Sequence, residues 1–293
     1  VEERRMLKEK TFDTGVVKIN YAEGPLSGPP LLLLHGFTGR WQGFLPLLPV
    51  LSLRWHVYAP DHRGHGKSGH VAGRYGAEDY LSDIVAFVRG VVEPPAVVFG
   101  HSLGALFAVA LAGRQPEYVR AVIVGDMALS PATWAAMPTN QEFYVSLRDL
   151  AAKRASIPEL TRLLADLTVP RTDPPVRYED SPDVLSVELR EWARSVSQLD
   201  PDVVALHAEG RRDELMQAFD FEAMLRAVSC PTLLLQADPS QGGIMTDDDV
   251  EYAMSLLGEA YHVQIEGAGH DLGMATCEVG PLMRAVLNFL ESL

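Results

Sequence analysis

The stretch that most constrains this chain is Ala96 to Gly113, AVVFGHSLGALFAVALAG. A short β-branched and aromatic run leads into a serine with glycine two residues before and two after it. An apolar run long enough for a buried helix follows. The pattern predicts strand, sharp turn and helix, with Ser102 at the apex. A side chain held on such a turn needs unusual backbone angles, and strand and helix backbones must pass very close. Gly100 and Gly104 remove the side chains that would collide. The first turn of the helix leaves backbone NH groups unpaired and directs its positive dipole end at the serine oxygen, so an oxyanion formed there would be stabilised. The pentapeptide GHSLG alone is a weak signal; its place between PPAVVF and ALFAVALAG gives it weight.

The flanking sequence supplies a scaffold. Residues 6–21 alternate about Asp13, Thr14 and Gly15, as an antiparallel hairpin at a sheet edge does. Leu31 to Leu34 is uniformly apolar and suits a central strand covered on both faces. Trp41 to Leu53 reads as a helix containing prolines, His56 to Ala59 as a strand, and Glu78 to Val92 as an amphipathic helix. Ala121 to Asp126 is a further strand ending on an acid. This alternation predicts an α/β fold, a mostly parallel sheet with helices on both faces. From Pro131 to about Phe219 the rhythm breaks into helical segments, Asn140 to Lys153, Pro158 to Leu167 and Val184 to Leu199, divided by Pro170 to Pro175. A helical cap over the carboxyl edge of the sheet is expected there. The rhythm resumes with strands in Cys230–Pro239 and Tyr261–Asp271, a capping box at Thr246 and Asp249, and a closing helix from Val279 to Leu290. The expected organisation is a core of residues 1–130 and 220–293, with residues 131–219 as the cap.

A formal charge of −14 over 293 residues argues against a nucleic-acid partner or an anionic membrane surface. Cys230 and Cys277 are the only cysteines, too few for a disulfide framework or a cysteine-based zinc site. No apolar stretch reaches transmembrane length and VEERRMLKEK lacks a signal core, so a soluble cytoplasmic protein is expected. Three features of the loop Pro60 to His70 invite other readings. GHGKSG fits the dinucleotide pattern G-x-G-x-x-G, but no strand runs into it and no helix opens after it. GKS resembles a P-loop, yet Asp61 stands where that motif requires glycine. His62, His65 and His70 could suggest a metal, although a solvated turn is the simpler expectation. No cofactor and no metal are therefore expected, and oligomeric state stays open.

Taken together these motifs resemble the α/β-hydrolase superfamily over nearly the whole chain. HGFTG, His35 to Gly39, is similar to its oxyanion loop, DHRGHGKS to its Asp-x-Arg-Gly-x-Gly-x-Ser loop, GHSLG to its nucleophile turn, and GAGH to its histidine loop. The resemblance implies Ser102 as nucleophile, His270 as general base, and the backbone NH groups of Phe37 and Leu103 as oxyanion hole. It implies Asp238, after the penultimate strand, as the acid; Asp126 is the rival. His35 is expected to fix its loop by hydrogen bonds. Asp271 and Asp247 to Asp249 are expected at the surface or as caps. Trp134, Phe143 and Tyr144 are candidates for the substrate pocket or for the core of the cap. The implied activity is serine hydrolysis of a small-molecule carboxylic ester or related acyl bond. The alternatives are a carbon–carbon hydrolase of diketones and a non-catalytic ligand-binding member.

Overall fold

The computed structural model describes residues 7–168, 176–180, 186–217 and 219–293. Pro170 to Pro175, and the start of the helix expected from Val184, lie outside the described residues.

The apolar runs become eight strands. They are β1 (Lys8–Asp13), β2 (Lys18–Glu23), β3 (Pro30–Leu34), β4 (His56–Pro60), β5 (Ala96–His101), β6 (Val119–Gly125), β7 (Thr232–Ala237) and β8 (Ala260–Ile265). They form one sheet in the order β1-β2-β4-β3-β5-β6-β7-β8. The β1–β2 and β2–β4 pairs are antiparallel and every later pair is parallel. The predicted hairpin therefore caps one edge, and the Leu31–Leu34 run sits inside the sheet.

Alternation along the strands sorts side chains between two cores. Leu32, Leu34, Val98, Val122 and Leu234 face one side, packed with α2 (Ala77–Gly90), α3 (Leu103–Arg114) and α10 (Phe221–Ala227). Leu31, Leu33, Val97, Phe99, Ile123 and Leu235 face the other, packed with α1 (Leu48–Leu51) and α12 (Gly280–Ser292). Burial on both faces explains why these strands read as continuous hydrophobic runs. The helix expected over Trp41 to Leu53 is corrected to a 3-10 turn, Trp41–Phe44, followed by the single turn α1. Pro46 lacks the NH that a continuous helix would need there.

Between β6 and β7 the described chain is helical: α4 (Pro131–Ala136), α5 (Gln141–Ala152), α6 (Ile157–Ala165), α7 (Ser186–Val196), α8 (Ala205–Ala208) and α9 (Arg212–Met216). Its β structure is one isolated bridge, Thr168 to Arg177. The helix α11 (Asp247–Leu256) opens on the predicted capping box of Thr246 and Asp249. Among the described residues no helix is long and apolar enough to cross a membrane.

Candidate active site

Ser102 is the hinge between β5 and α3. Its backbone sits at φ 54° and ψ −125°, a combination that strains a residue carrying a Cβ. Close packing maintains it. A Cβ on Gly100 would fall 2.2 Å from the carbonyl oxygen of Gly104, and one on Gly104 would fall 2.2 Å from that of Leu34. The Ser102 NH donates to the Gly125 carbonyl at 2.8 Å, fastening the turn to the end of β6. The loop after β3 lies directly against it, since a Cβ on Gly36 would be 2.9 Å from the Ser102 Cβ. Phe37 follows in that loop and Leu103 opens α3. Among the described residues neither backbone NH donates a hydrogen bond.

His270 lies in the loop after β8. Its Nε2 is 3.0 Å from Ser102 Oγ, and its Nδ1 is 2.6 Å from Asp126 Oδ2. Because the carboxylate only accepts, Nδ1 carries the ring proton and Nε2 accepts from the serine hydroxyl. Asp126 is fully buried just beyond β6, at φ 37°. Its Oδ1 also accepts from the NH groups of Ala237 and Met245, both at 3.1 Å, and its Oδ2 from that of Ile244 at 2.8 Å. Burial pushes this carboxyl upward. The hydrogen bond and charge of His270 and the Ile244 and Ala237 amides outweigh it and hold Asp126 below the ordinary carboxylate range.

The expectation that Asp238 partners His270 is corrected by this geometry. Asp238 turns away, accepting from the Ser240 NH at 2.9 Å, the Ser240 hydroxyl at 2.7 Å and the Gly267 NH at 3.0 Å. The Ser240 hydrogen bond, followed by the amides of Gly267 and Ser240, lowers its pKa. Its backbone NH donates to Ala268. Asp238 thus clamps the loop that carries His270 without touching the imidazole.

The histidines of the first loops are a second correction. A solvated turn is the expectation for His62, His65 and His70, but His62 and His65 are buried and only His70 is exposed. His35 Nδ1 donates to the Gly36 carbonyl at 2.8 Å, its Nε2 accepts from the His62 NH at 3.0 Å, and His62 Nε2 donates to the His35 carbonyl at 3.0 Å. Burial pushes the His35 imidazole well down, His62 to about 3 and His65 to about 4. All three are neutral: His35 and His62 are struts that hold the loop of Phe37, while His65 bonds the Arg63 carbonyl at 2.9 Å in its own loop and packs its ring 5.1 Å from that of His35. The glycines of GHGKSG serve packing: a Cβ on Gly66 would fall 2.2 Å from Asp61 Oδ2. Among the described residues no cluster of three or more histidine, cysteine or acidic side chains could hold a metal ion. Asp249 is fully buried, bonding the Leu129 NH at 3.1 Å as well as closing its capping box.

The three aromatic candidates separate. Tyr144 packs 6.1 Å from the Phe37 ring. Phe143 stacks on Trp192 at 6.2 Å and meets Tyr178, within the helical segment itself. Trp134 lies beneath the Arg212 guanidinium at 5.4 Å. Two residues here have no forecast from the sequence. His207 lies 4.8 Å from Phe37 and 4.5 Å from Tyr144, ring to ring. The His101 ring lies 4.9 Å from that of His270, inclined at 39°, and donates from Nε2 to the His270 carbonyl at 2.7 Å. His101 is the second residue of GHSLG; nothing in the sequence marks His207.

A sequence model of the alpha/beta hydrolase fold matches residues 29–274. The 2-(acetamidomethylene)succinate hydrolase of Mesorhizobium japonicum is 28% identical over 289 residues, 97% of this chain and 95% of its own. The non-heme haloperoxidase of Rhodococcus erythropolis is 26% identical over 277 residues, 91% of this chain and 93% of its own. A crystal structure of an E-2-(acetamidomethylene)succinate hydrolase superposes with a TM-score of 0.72 and 25% identity, covering 98% of this chain and all of that one.

Proposed function

The chain belongs to the alpha/beta hydrolase family, and from that premise we propose that it is a serine hydrolase cleaving a small carboxylic ester or related acyl bond through an acyl-serine intermediate. One observation carries the reading: the unbroken line from Ser102 Oγ through His270 to buried Asp126. In this scheme Ser102 Oγ attacks the substrate carbonyl and passes its proton to His270 Nε2. Asp126 holds the imidazole in the required tautomer and stabilises the imidazolium. The free NH groups of Phe37 and Leu103 take the oxyanion. His270 returns the proton to the leaving group as the tetrahedral intermediate collapses to acyl-serine. A water, deprotonated by His270, then releases the acid and restores the Ser102 hydroxyl. Each step uses side chains, backbone amides and water.

We read residues 131–219 as a cap on a core of residues 1–130 and 220–293. The packing of Tyr144 and His207 on Phe37 supports this, since it brings helical-segment side chains to the loop beside the nucleophile. Tyr144 then belongs to the substrate approach and Phe143 to the interior of the cap. The relative from Mesorhizobium makes a substituted succinate the first natural-type substrate to try.

The deciding experiment is reaction with a fluorophosphonate probe followed by peptide mapping, beside turnover of a short-chain aryl ester. Labelling at Ser102 and ester turnover are expected. The Ser102→Ala variant is expected to stay folded and lose turnover by about 10⁴-fold or more, leaving only what binding and the oxyanion donors supply. Wild-type-like turnover in that variant would refute the assignment.

A further inference from the structure

Resting on the reading that Ser102 and His270 carry hydrolysis, we propose that His101 is a positioning residue that fixes the general base through its peptide oxygen. The need for such a tether comes from where His270 sits. The chain from β8 to α12 runs without strand or α-helix, and Gly267, Leu272 and Gly273 all adopt positive φ. The loop is held at its base, where Asp238 bonds Gly267 and Ala268. At His270 itself, the imidazole of His101 is the sole described donor to the backbone carbonyl.

A carbonyl can only accept, so the 2.7 Å contact requires a proton on His101 Nε2. His101 is the last residue of β5 and Ser102 is its covalent neighbour. The strained nucleophile turn therefore sets both reacting groups: Ser102 by its own backbone, and His270 by the side chain one residue earlier. The 3.0 Å separation of Ser102 Oγ and His270 Nε2 follows from that common origin. The two rings, inclined at 39° with centroids 4.9 Å apart, also limit swinging of the base about its own side-chain bonds. Burial, and then the neighbouring His270, push His101 down to about 4. It stays neutral beside the imidazolium that forms during the reaction.

Glutamine and methionine at position 101 provide the test, because both are unbranched and similar in length while only glutamine can donate where Nε2 stands. kcat and KM for an aryl ester are measured for wild type, His101→Gln and His101→Met, with thermal melting of each and fluorophosphonate labelling of wild type in parallel. His101→Met is expected to lose about 10²-fold in kcat, the scale of a misplacement of about 1 Å, with KM within about twofold. His101→Gln is expected to recover most of that loss. Equal losses in the two variants, or wild-type kcat in His101→Met, would overturn the proposal. If both variants melt far below wild type, the tautomer decides instead: imidazole ¹⁵N shifts of the unmutated protein must show His101 protonated at Nε2, and protonation at Nδ1 alone would overturn it. Absence of labelling and turnover in wild type would instead remove the hydrolase reading on which this rests.

Discussion

Replacing Asp126 by asparagine keeps the buried shape and changes two interactions together. In the wild type, Oδ1 takes the Ala237 and Met245 amides, while Oδ2 takes the Ile244 amide and the His270 ring NH. An asparagine has one accepting end and one donating end. Whichever way it turns, its NH₂ faces at least one backbone NH that has lost its acceptor. The less costly orientation places NH₂ at the Oδ2 position, against Ile244 alone. That buried donor-to-donor contact costs about 1–3 kcal/mol of stability. In the same orientation the amide donates to His270 Nδ1, which drives the ring proton to Nε2, where it can no longer accept from Ser102. Loss of the correct tautomer in a serine–histidine–aspartate array lowers kcat about 10⁴-fold, about 5.5 kcal/mol of transition-state stabilisation. Asp238→Asn, at the half-buried clamp, is expected to keep kcat within about threefold. The assay is kcat and KM on one aryl ester, with urea unfolding of each variant. More than a tenth of wild-type kcat in Asp126→Asn, or a larger loss in Asp238→Asn, would refute the assignment of the acid.

Acid should unfold the protein early. His62, His65, His101 and His207 are pushed, by burial first, to about 3, 4, 4 and 4, so below pH 6.5 the unfolded chain binds protons that the folded one refuses. Their contribution to stability is complete above about pH 6.5 and is lost as pH falls toward 4, at up to about 1.4 kcal/mol per pH unit for each histidine; urea unfolding that is unchanged between pH 7 and pH 5 would contradict this. Gly104→Ala places a Cβ 2.2 Å from the Leu34 carbonyl oxygen. It is expected to destabilise by about 3 kcal/mol or more, whereas Gly258→Ala, where an added Cβ meets nothing within 4 Å, should stay within about 0.5 kcal/mol. Similar melting temperatures for the two would refute the close-approach explanation of the nucleophile turn.

Features set by neighbours in the chain could be read before folding. The strand runs of Leu31–Leu34 and Val97–Phe99, the turn at Ser102, the capping box of Thr246 and Asp249, and the switch to helices after Pro131 rest on periodicity, steric exclusion and local hydrogen bonding. The structure has each of them within a few residues of its expected place. Where a local signal competed with a breaker, as at Pro46, the forecast helix shortened.

Features that depend on which loop meets which were not legible. His62 and His65 stand in a polar, glycine-rich stretch that reads as solvated; the apposed loop of His35 supplies the hydrogen-bond partners of buried His62 and a ring that packs 5.1 Å from His65. The choice between Asp126 and Asp238 is of the same kind. Both acids directly follow strands whose ends reach the same edge of the sheet, so sequence alone offers two equivalent carboxylates. The register pairs Gly125 with Leu235, which leaves Asp238 two residues, about 7 Å, further along its strand. There its carboxylate meets the Gly267 amide, while Asp126 stays beneath the imidazole of His270. The sequence by itself determined the sheet, the helices, the serine turn and the set of possible partners, because short-range sterics and periodicity fix these. Only the tertiary structure decided which carboxylate faces the histidine and which rings pack on Phe37, because those pairings depend on strand register and loop apposition between residues far apart in the chain.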